Sequence, residues 1–254
     1  MVATVNLEFT AKEANRAVER GDIVIIIDVL RSCSTITNLL TEGAKSVIPT
    51  ETLHEAYRLH KRHPDYLLFG ERKGRKPKGF DFGNSPSGFS SRDVQQKNII
   101  ITTTSGTLAI NRCRRANWVL IGSLLNARPV ARKAREIAEK RKLNISFVLF
   151  GDRGQFSLED FICAGAIAER FHRETFSDEV SAAVLGFKQA RSNLFENIMK
   201  AQHARHLISM GFVKDVEFSC QLDSINIIPM YRNGKIVPLA KWRARWDLNP
   251  GPPA

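Results

Sequence analysis

The seven residues Asp22 to Asp28, DIVIIID, set five consecutive β-branched apolar residues between two carboxylates. Apolar and polar positions do not alternate, so neither face of this strand expects water. A run of that kind is a strand buried on both faces, the signature of a parallel sheet covered by helices on each side. Its last residue, Asp28, carries a charge out of an apolar strand. A carboxylate so placed is paired, ligated or open to a cleft.

The rest of the chain repeats the pattern. KSVIP (45–49), DYLLFG (65–70), NIIITT (98–103), NWVLIGS (117–123) and NISFVLFG (144–151) read as further strands. Helical patterns at 34–43, 52–62, 106–115, 126–141 and 157–172 lie between them. Strand–helix alternation predicts a three-layer α/β/α fold with a mainly parallel or mixed sheet. After 172 the pattern loosens into a helix over 190–210. One or two late strands, with antiparallel pairing left open, are expected in DVEFSCQLDSINIIPMY (215–231). Residues 1–240 read as a single domain, and 241–254, rich in Pro and Gly, as a disordered extension.

Composition narrows the function. No apolar run reaches the length of a membrane span, and the first residues lack a basic head followed by an apolar stretch, so no secretory leader is expected. The four cysteines at 33, 113, 163 and 220 form no CxxC pair, which argues against a structural zinc site and for reduced thiols in the cytoplasm. The formal charge of +12 points to anionic partners. Most basic clusters fall on helix surfaces interleaved with Glu, the pattern of a solvated face. The cluster from Arg72 to Lys78 is different. It lies in the loop GERKGRKPKGFDFGNSP (70–86), with five cations among seven residues.

Ligands of open parallel sheets bind outside the carboxyl ends of the strands. Three strands here exit into polar turns: Asp28 to Thr35 (DVLRSCST), Thr102 to Thr107 (TTTSGT), and Gly151 to Asp160 (GDRGQFSLED). Hydroxyls and free N–H groups at helix starts suit phosphate, and neighbouring carboxylates suit a divalent cation. Each piece also has a local reading. Ser34, Thr35 and Ser157 are good N-caps, and SLED fits a capping box. Several phosphatase and nucleotide motifs are excluded. Leu30 stands where a haloacid-dehalogenase loop needs its second Asp. Leu39 and Glu169 stand where a phosphotyrosine-phosphatase loop needs Arg, and neither a Walker A sequence nor a Gly-x-Ser-x-Gly elbow occurs. Cys33, near a helix start, reads as a packing residue.

The ordered set DVLRSCST, GERKGRKPKGFDFGNSP, TTTSGTLA, GQFSLEDFICAGAIAERF and HARHLISMGFVKDVEFSC resembles the 2-phosphosulfolactate phosphatase (ComB-like) family over most of residues 1–230. Ser105 departs from the family's Asn, and Ser87-Gly88-Phe89 from its usual acidic neighbour. The resemblance implies a magnesium-dependent phosphatase whose product leads toward coenzyme M. Carried onto this sequence, it implies catalytic roles for Asp28, Arg31, Glu71, Asp81 and Asp160. Substrate would be bound by Ser34, Thr35, Arg72, Asn84, Ser85, Thr103, Thr104, Gly106, Thr107 and Ser157, to which the charge of the basic loop adds Lys76. Mg²⁺ would be held by Asp28, Glu159 and Asp160, to which the third strand exit adds Asp152. His203 and Arg205 are further candidates for leaving-group and oxyanion contacts. The expected partner is a small anionic phosphorylated substrate, with no membrane and no nucleic acid; the reading leaves room for a homodimer. Its competitors are a basic nucleic-acid-binding protein, a relative with another phosphorylated substrate, and an idle relative.

Overall fold

The computed structural model describes residues 2–104, 106–150, 155–172 and 174–239. The expected extension at 241–254, Ser105 and the expected metal ligand Asp152 lie outside the described residues. The strands are β1 (Thr4–Glu8), β2 (Ile23–Ile27), β3 (Ser46–Pro49), β4 (Leu67–Gly70), β5 (Asn98–Thr102), β6 (Val119–Gly122), β7 (Ile145–Leu149), β8 (Thr175–Phe176), β9 (Pro229–Arg232) and β10 (Lys235–Pro238). The helices are α1 (Ala14–Glu19), α2 (Ser32–Thr41), α3 (Leu53–Arg62), α4 (Ser91–Val94), α5 (Gly106–Arg112), α6 (Ala127–Arg141), α7 (Leu158–Ala168), α8 (Asp178–Ala190), α9 (Leu194–Ile198), α10 (Gln202–Ser209) and α11 (Val213–Ser219).

The strands form one sheet in the order β4-β5-β3-β10-β9-β6-β2-β7-β1-β8. Pairing is parallel within β4-β5-β3 and within β6-β2-β7-β1-β8. The hairpin β9–β10 joins these two blocks by antiparallel pairs on each side. Three antiparallel steps reverse direction three times, so the blocks run in opposite senses. In a flat sheet the carboxyl ends of β2 and β5 would then lie on opposite edges. They instead meet, with Ser32 Oγ 3.4 Å from Thr103 Oγ1. The five steps between β5 and β2 allow roughly 100–125° of twist, and the sheet curls back on itself.

The core shows the same curl. Ile23, Ile25 and Ile27 of β2, with Ile145, Phe147 and Leu149 of β7, pack under α6, α7 and α8. Val24, Ile26 and Val148, on the opposite face, share a second cluster with Ile36 and Leu39 of α2 and with Val47, Ile99 and Ile101 of the other block. The far face of that block, Leu68 and Ile100, is covered by Ala56 of α3 and by Phe80. This is the expected three-layer α/β arrangement, with DIVIIID buried on both faces at its centre.

The late segment differs from the sequence reading. Residues 213–219 are helical, and the expected strand is confined to Pro229–Arg232. DVEFSC has alternating character, but Asp215, Val216, Ser219 and Cys220 are the buried set. That spacing is one face of a helix. The strand's partner β10 follows Asn233-Gly234, both with positive φ (49° and 79°), the geometry of a two-residue hairpin turn. The helix expected over 190–210 is broken into α9 and α10.

Candidate active site

Asp28 leaves β2 and turns back at once. Its Oδ1 accepts from Ser32 N at 3.1 Å and its carbonyl from Cys33 N at 2.9 Å, closing the turn that starts α2. Burial pushes the Asp28 carboxyl up to about 6. His203 and the hydrogen bonds from Ser32 oppose that rise, while the charge of Glu159 adds to it. Asp28, Glu159 and His203 therefore form one electrostatic unit, assembled from β2, α7 and α10.

Glu159 is the least ordinary member. Its side chain is 1% exposed. Its Oε1 lies 3.2 Å from His203 Nδ1, and among the described residues its Oε2 has no hydrogen-bond partner. A buried carboxylate oxygen without a donor is costly unless a ligand or cation completes it. Asp160, one residue on, has a local task. Its Oδ1 accepts from Val29 N at 2.8 Å, tying α7 to the β2 exit. Ser157 caps α7 by accepting from Asp160 N.

A wall of hydroxyls and one amide stands beside Asp28. Ser32 Oγ is within 3.4 Å of Thr103 Oγ1 and of Asn84 Nδ2. Asn84 is buried, and its Oδ1 has no partner among the described residues. Ser34 Oγ donates to Val29 O and Thr35 Oγ1 to the carbonyl of Asn84. Thr103 and Thr107 cap α5 reciprocally, and Gly106 opens that helix. Ser32, absent from the expected set, is the hinge of this wall. Burial pushes the Cys33 and Cys163 thiols well above the usual thiol range, which disfavours the reactive thiolate.

The basic loop is fastened at several points. Glu71, buried, accepts from Gly74 N at 2.7 Å and Thr104 N at 2.6 Å, clamping the loop to the β5 exit. Arg72 donates to Glu71 O, Thr102 Oγ1 and Glu51 O. Phe82 stacks on Phe69 at 4.6 Å, and Phe80 is buried against α3. Asp81 is exposed and accepts from Leu68 N at 2.7 Å. The described hydrogen bonds do not join Asp81 to the Asp28 group. Lys73, Arg75, Lys76 and Lys78 remain exposed, with Lys76 Nζ 3.3 Å from the Asp81 carbonyl.

Arg31 is buried. Its Nη1 donates to Asp215 Oδ2 at 2.7 Å, its Nη2 to Gly74 O at 3.0 Å, and its guanidinium lies 4.3 Å from the Phe212 ring centroid. Ser85 and Ser87 both donate to Asp215 Oδ1. The substrate role expected for Ser85 thus meets a competing internal bond. Arg205 donates to Lys200 O. Asp215 and Phe212 were not singled out by the sequence reading, and Ser87 figured in it only as a departure from the family pattern; the buried-face spacing of α11 and the family-like segment at 203–220 are the signals that could have marked Asp215.

Residues 9–234 match a family model described as 2-phosphosulpholactate phosphatase. The chain is also similar to a "Probable 2-phosphosulfolactate phosphatase" of Thermotoga petrophila, 40% identical over 213 residues, or 84% of this chain and 90% of the relative. The protein of that name from Clostridium acetobutylicum is 34% identical over 238 residues, covering 92% of this chain and 99% of the relative. A third, from Caldanaerobacter subterraneus, is 38% identical over 216 residues, 83% and 88% of the two chains.

Proposed function

The chain belongs to the 2-phosphosulfolactate phosphatase family, and from that premise we propose that it hydrolyses 2-phosphosulfolactate to sulfolactate and phosphate with Mg²⁺. The observation that carries this reading is the buried carboxylate Asp28 beside a wall of hydroxyls and an amide, with the charge of buried Glu159 close enough to be felt by it. Phosphoryl transfer needs charge neutralisation more than covalent chemistry. Ser32, Thr103 and Asn84 are the groups suited to phosphoryl oxygens. His203, held by Glu159 and 24% exposed in its side chain, is the residue type that moves a proton near neutral pH; it is suited to the leaving oxygen.

The donor set fits the cation. A donor-free oxygen on Glu159 beside a second buried carboxylate suits a hard divalent ion. Among the described residues no three His, Cys, Asp or Glu side chains gather into a metal cluster. Mg²⁺ does not require one, because one or two carboxylates, water and substrate phosphate complete its shell. Asp28 and Glu159 would hold it, with Asp152 and Asp160 the further expected ligands. When bound, Mg²⁺ neutralises charge on the transferring phosphoryl group.

The test is phosphate release from 2-phosphosulfolactate by the purified protein. Activity should vanish in excess chelator and return with Mg²⁺. Full turnover in chelator would remove the metal from the reading, and no release under either condition would remove the substrate.

The exposed cations of the loop suit the substrate's other charges. A phosphate, a carboxylate and a sulfonate together carry about four negative charges. Arg72 is held by three internal acceptors, so the exposed Lys73 and Arg75 are the informative pair. Replacing both with Gln should raise KM for 2-phosphosulfolactate by about 30-fold at low salt, two exposed charge contacts being worth about 2 kcal/mol together. The increase should shrink with added salt. For p-nitrophenyl phosphate it should be several-fold smaller, and equal increases would show that these charges do not read the sulfonate and carboxylate.

A further inference from the structure

We propose that Asp215 is a positioning residue that fixes where the basic loop presents its cations, and so governs selectivity for esters bearing several anionic groups. The proposal rests on the phosphatase reading above for its substrate, and on the following contacts for its geometry.

Asp215 is 2% exposed and far in sequence from everything it holds. One carboxylate oxygen accepts from Arg31 at 2.7 Å, and the other from the hydroxyls of Ser85 and Ser87. Arg31 in turn donates to Gly74 O. Asp215 therefore joins four segments: the β2 exit, the tip of the basic loop, its Asn-Ser-Pro end, and α11. Gly74 is held from both sides, its N–H by Glu71 and its carbonyl by Arg31. Gly74 and the preceding Lys73 have positive φ (77° and 52°). The tight turn they make throws Lys73 and Arg75 outward on either side of the anchored residue. Met210 closes over the same turn: a Cβ at Gly74 would meet its Cε at 2.9 Å.

The charge balance explains why this residue matters for position. Arg31 and Asp215 neutralise each other in a buried pair. A buried pair of this kind returns little net stability, because desolvation offsets the attraction. It does demand one geometry. Arg31, expected from the family pattern to act in catalysis, spends both terminal nitrogens internally. Among the described residues, the exposed cations of the loop remain available to the substrate, and Asp215 sets their address.

Two variants test this, each read by kinetics and by trypsin cleavage after Lys73 and Arg75. Asp215→Asn leaves Arg31 buried without its counter-charge, and such losses can prevent folding. The double variant Arg31→Met with Asp215→Leu replaces the pair by apolar groups and should fold with a Tm near that of the wild type. Released from its latch, the loop in this double variant should be cleaved at least about 10-fold faster under native conditions, since cleavage follows local opening. KM for 2-phosphosulfolactate should rise about 10-fold or more, against less than about 3-fold for p-nitrophenyl phosphate. A folded double variant whose cleavage rate and both KM values stay within about 2-fold of wild type would overturn the proposal. Equal rises in KM for the two esters would overturn the selectivity role. If the wild-type protein hydrolyses neither ester, the proposed function falls, while cleavage of the loop still decides whether Asp215 positions it.

Discussion

Asp28→Asn should lower turnover by at least about 100-fold and, in the same protein, raise stability at alkaline pH. The two effects have one cause. Burial lifts the Asp28 carboxyl from 3.8 to about 6, so the folded state binds this proton more tightly than the unfolded chain. The stability so gained is fully present below pH 3.8 and is lost as pH rises through about 6. At pH 8 the ionised carboxylate then costs the metal-free fold up to about 3 kcal/mol, two pKa units' worth. Asparagine keeps the acceptor for Ser32 N and removes the charge. In chelator, the variant should therefore unfold at a higher temperature than wild type at pH 8, and at a similar one at pH 3.5. The affinity of the metal-free protein for Mg²⁺ should rise with pH through about 6, because cation binding must displace the proton from the Asp28 carboxyl. Near-normal turnover in folded Asp28→Asn would return the residue to an architectural role. A lower melting temperature at pH 8 would show that its charge is compensated inside the protein.

Gly165→Ala should be among the most damaging single-methyl additions in the molecule. α7 crosses α8 so closely that a Cβ at Gly165 would sit 2.0 Å from the Ala183 carbonyl oxygen, 2.5 Å from its carbon and 2.9 Å from Phe187 Cβ. Two of these atoms are backbone, which no rotamer change can move aside. The helices must separate, at a cost of roughly 2–3 kcal/mol. That outweighs the gain of about 1 kcal/mol in helix propensity. The net loss of about 1–2 kcal/mol should lower the melting temperature of a chain of this length by roughly 2–8 °C. α7 also carries Glu159 and Asp160, so activity should fall beyond what unfolding explains. Gly186→Ala in α8 is the control. Its nearest foreign atom is Phe161 Cε1 at 3.6 Å, an ordinary contact, and propensity alone should stabilise it by roughly 0.5–1 kcal/mol. A Gly165→Ala protein as stable as wild type would mean that α7 and α8 can part freely.

The central strand and the strand exits were legible because they depend on local pattern. DIVIIID announces burial on both faces without reference to any other segment. Asp28 is conspicuous because a charge ends that run. Glu71 was legible as a candidate but not in its task, since a carboxylate that accepts two backbone N–H groups looks, in sequence, like one awaiting a ligand. Arg31 misleads in the same way. Its partner Asp215 lies 184 positions away, on a segment whose alternation suggested a strand. No local rule connects them; only the packing of α11 against the β2 exit does. The hairpin turn Asn233-Gly234 carried a readable signal, but its strands are four residues each and weak on their own.

That hairpin has a consequence for the order in which the molecule is made. It is the seam between two blocks of parallel strands that run in opposite senses, and it is translated after both. Until the ribosome has passed Pro238, β3 and β6 each present an unpaired edge, and such edges recruit strands from other chains. The curl that brings the β5 exit to Asp28 requires the seam. The nascent chain therefore holds nearly every residue of its site long before it holds the site itself.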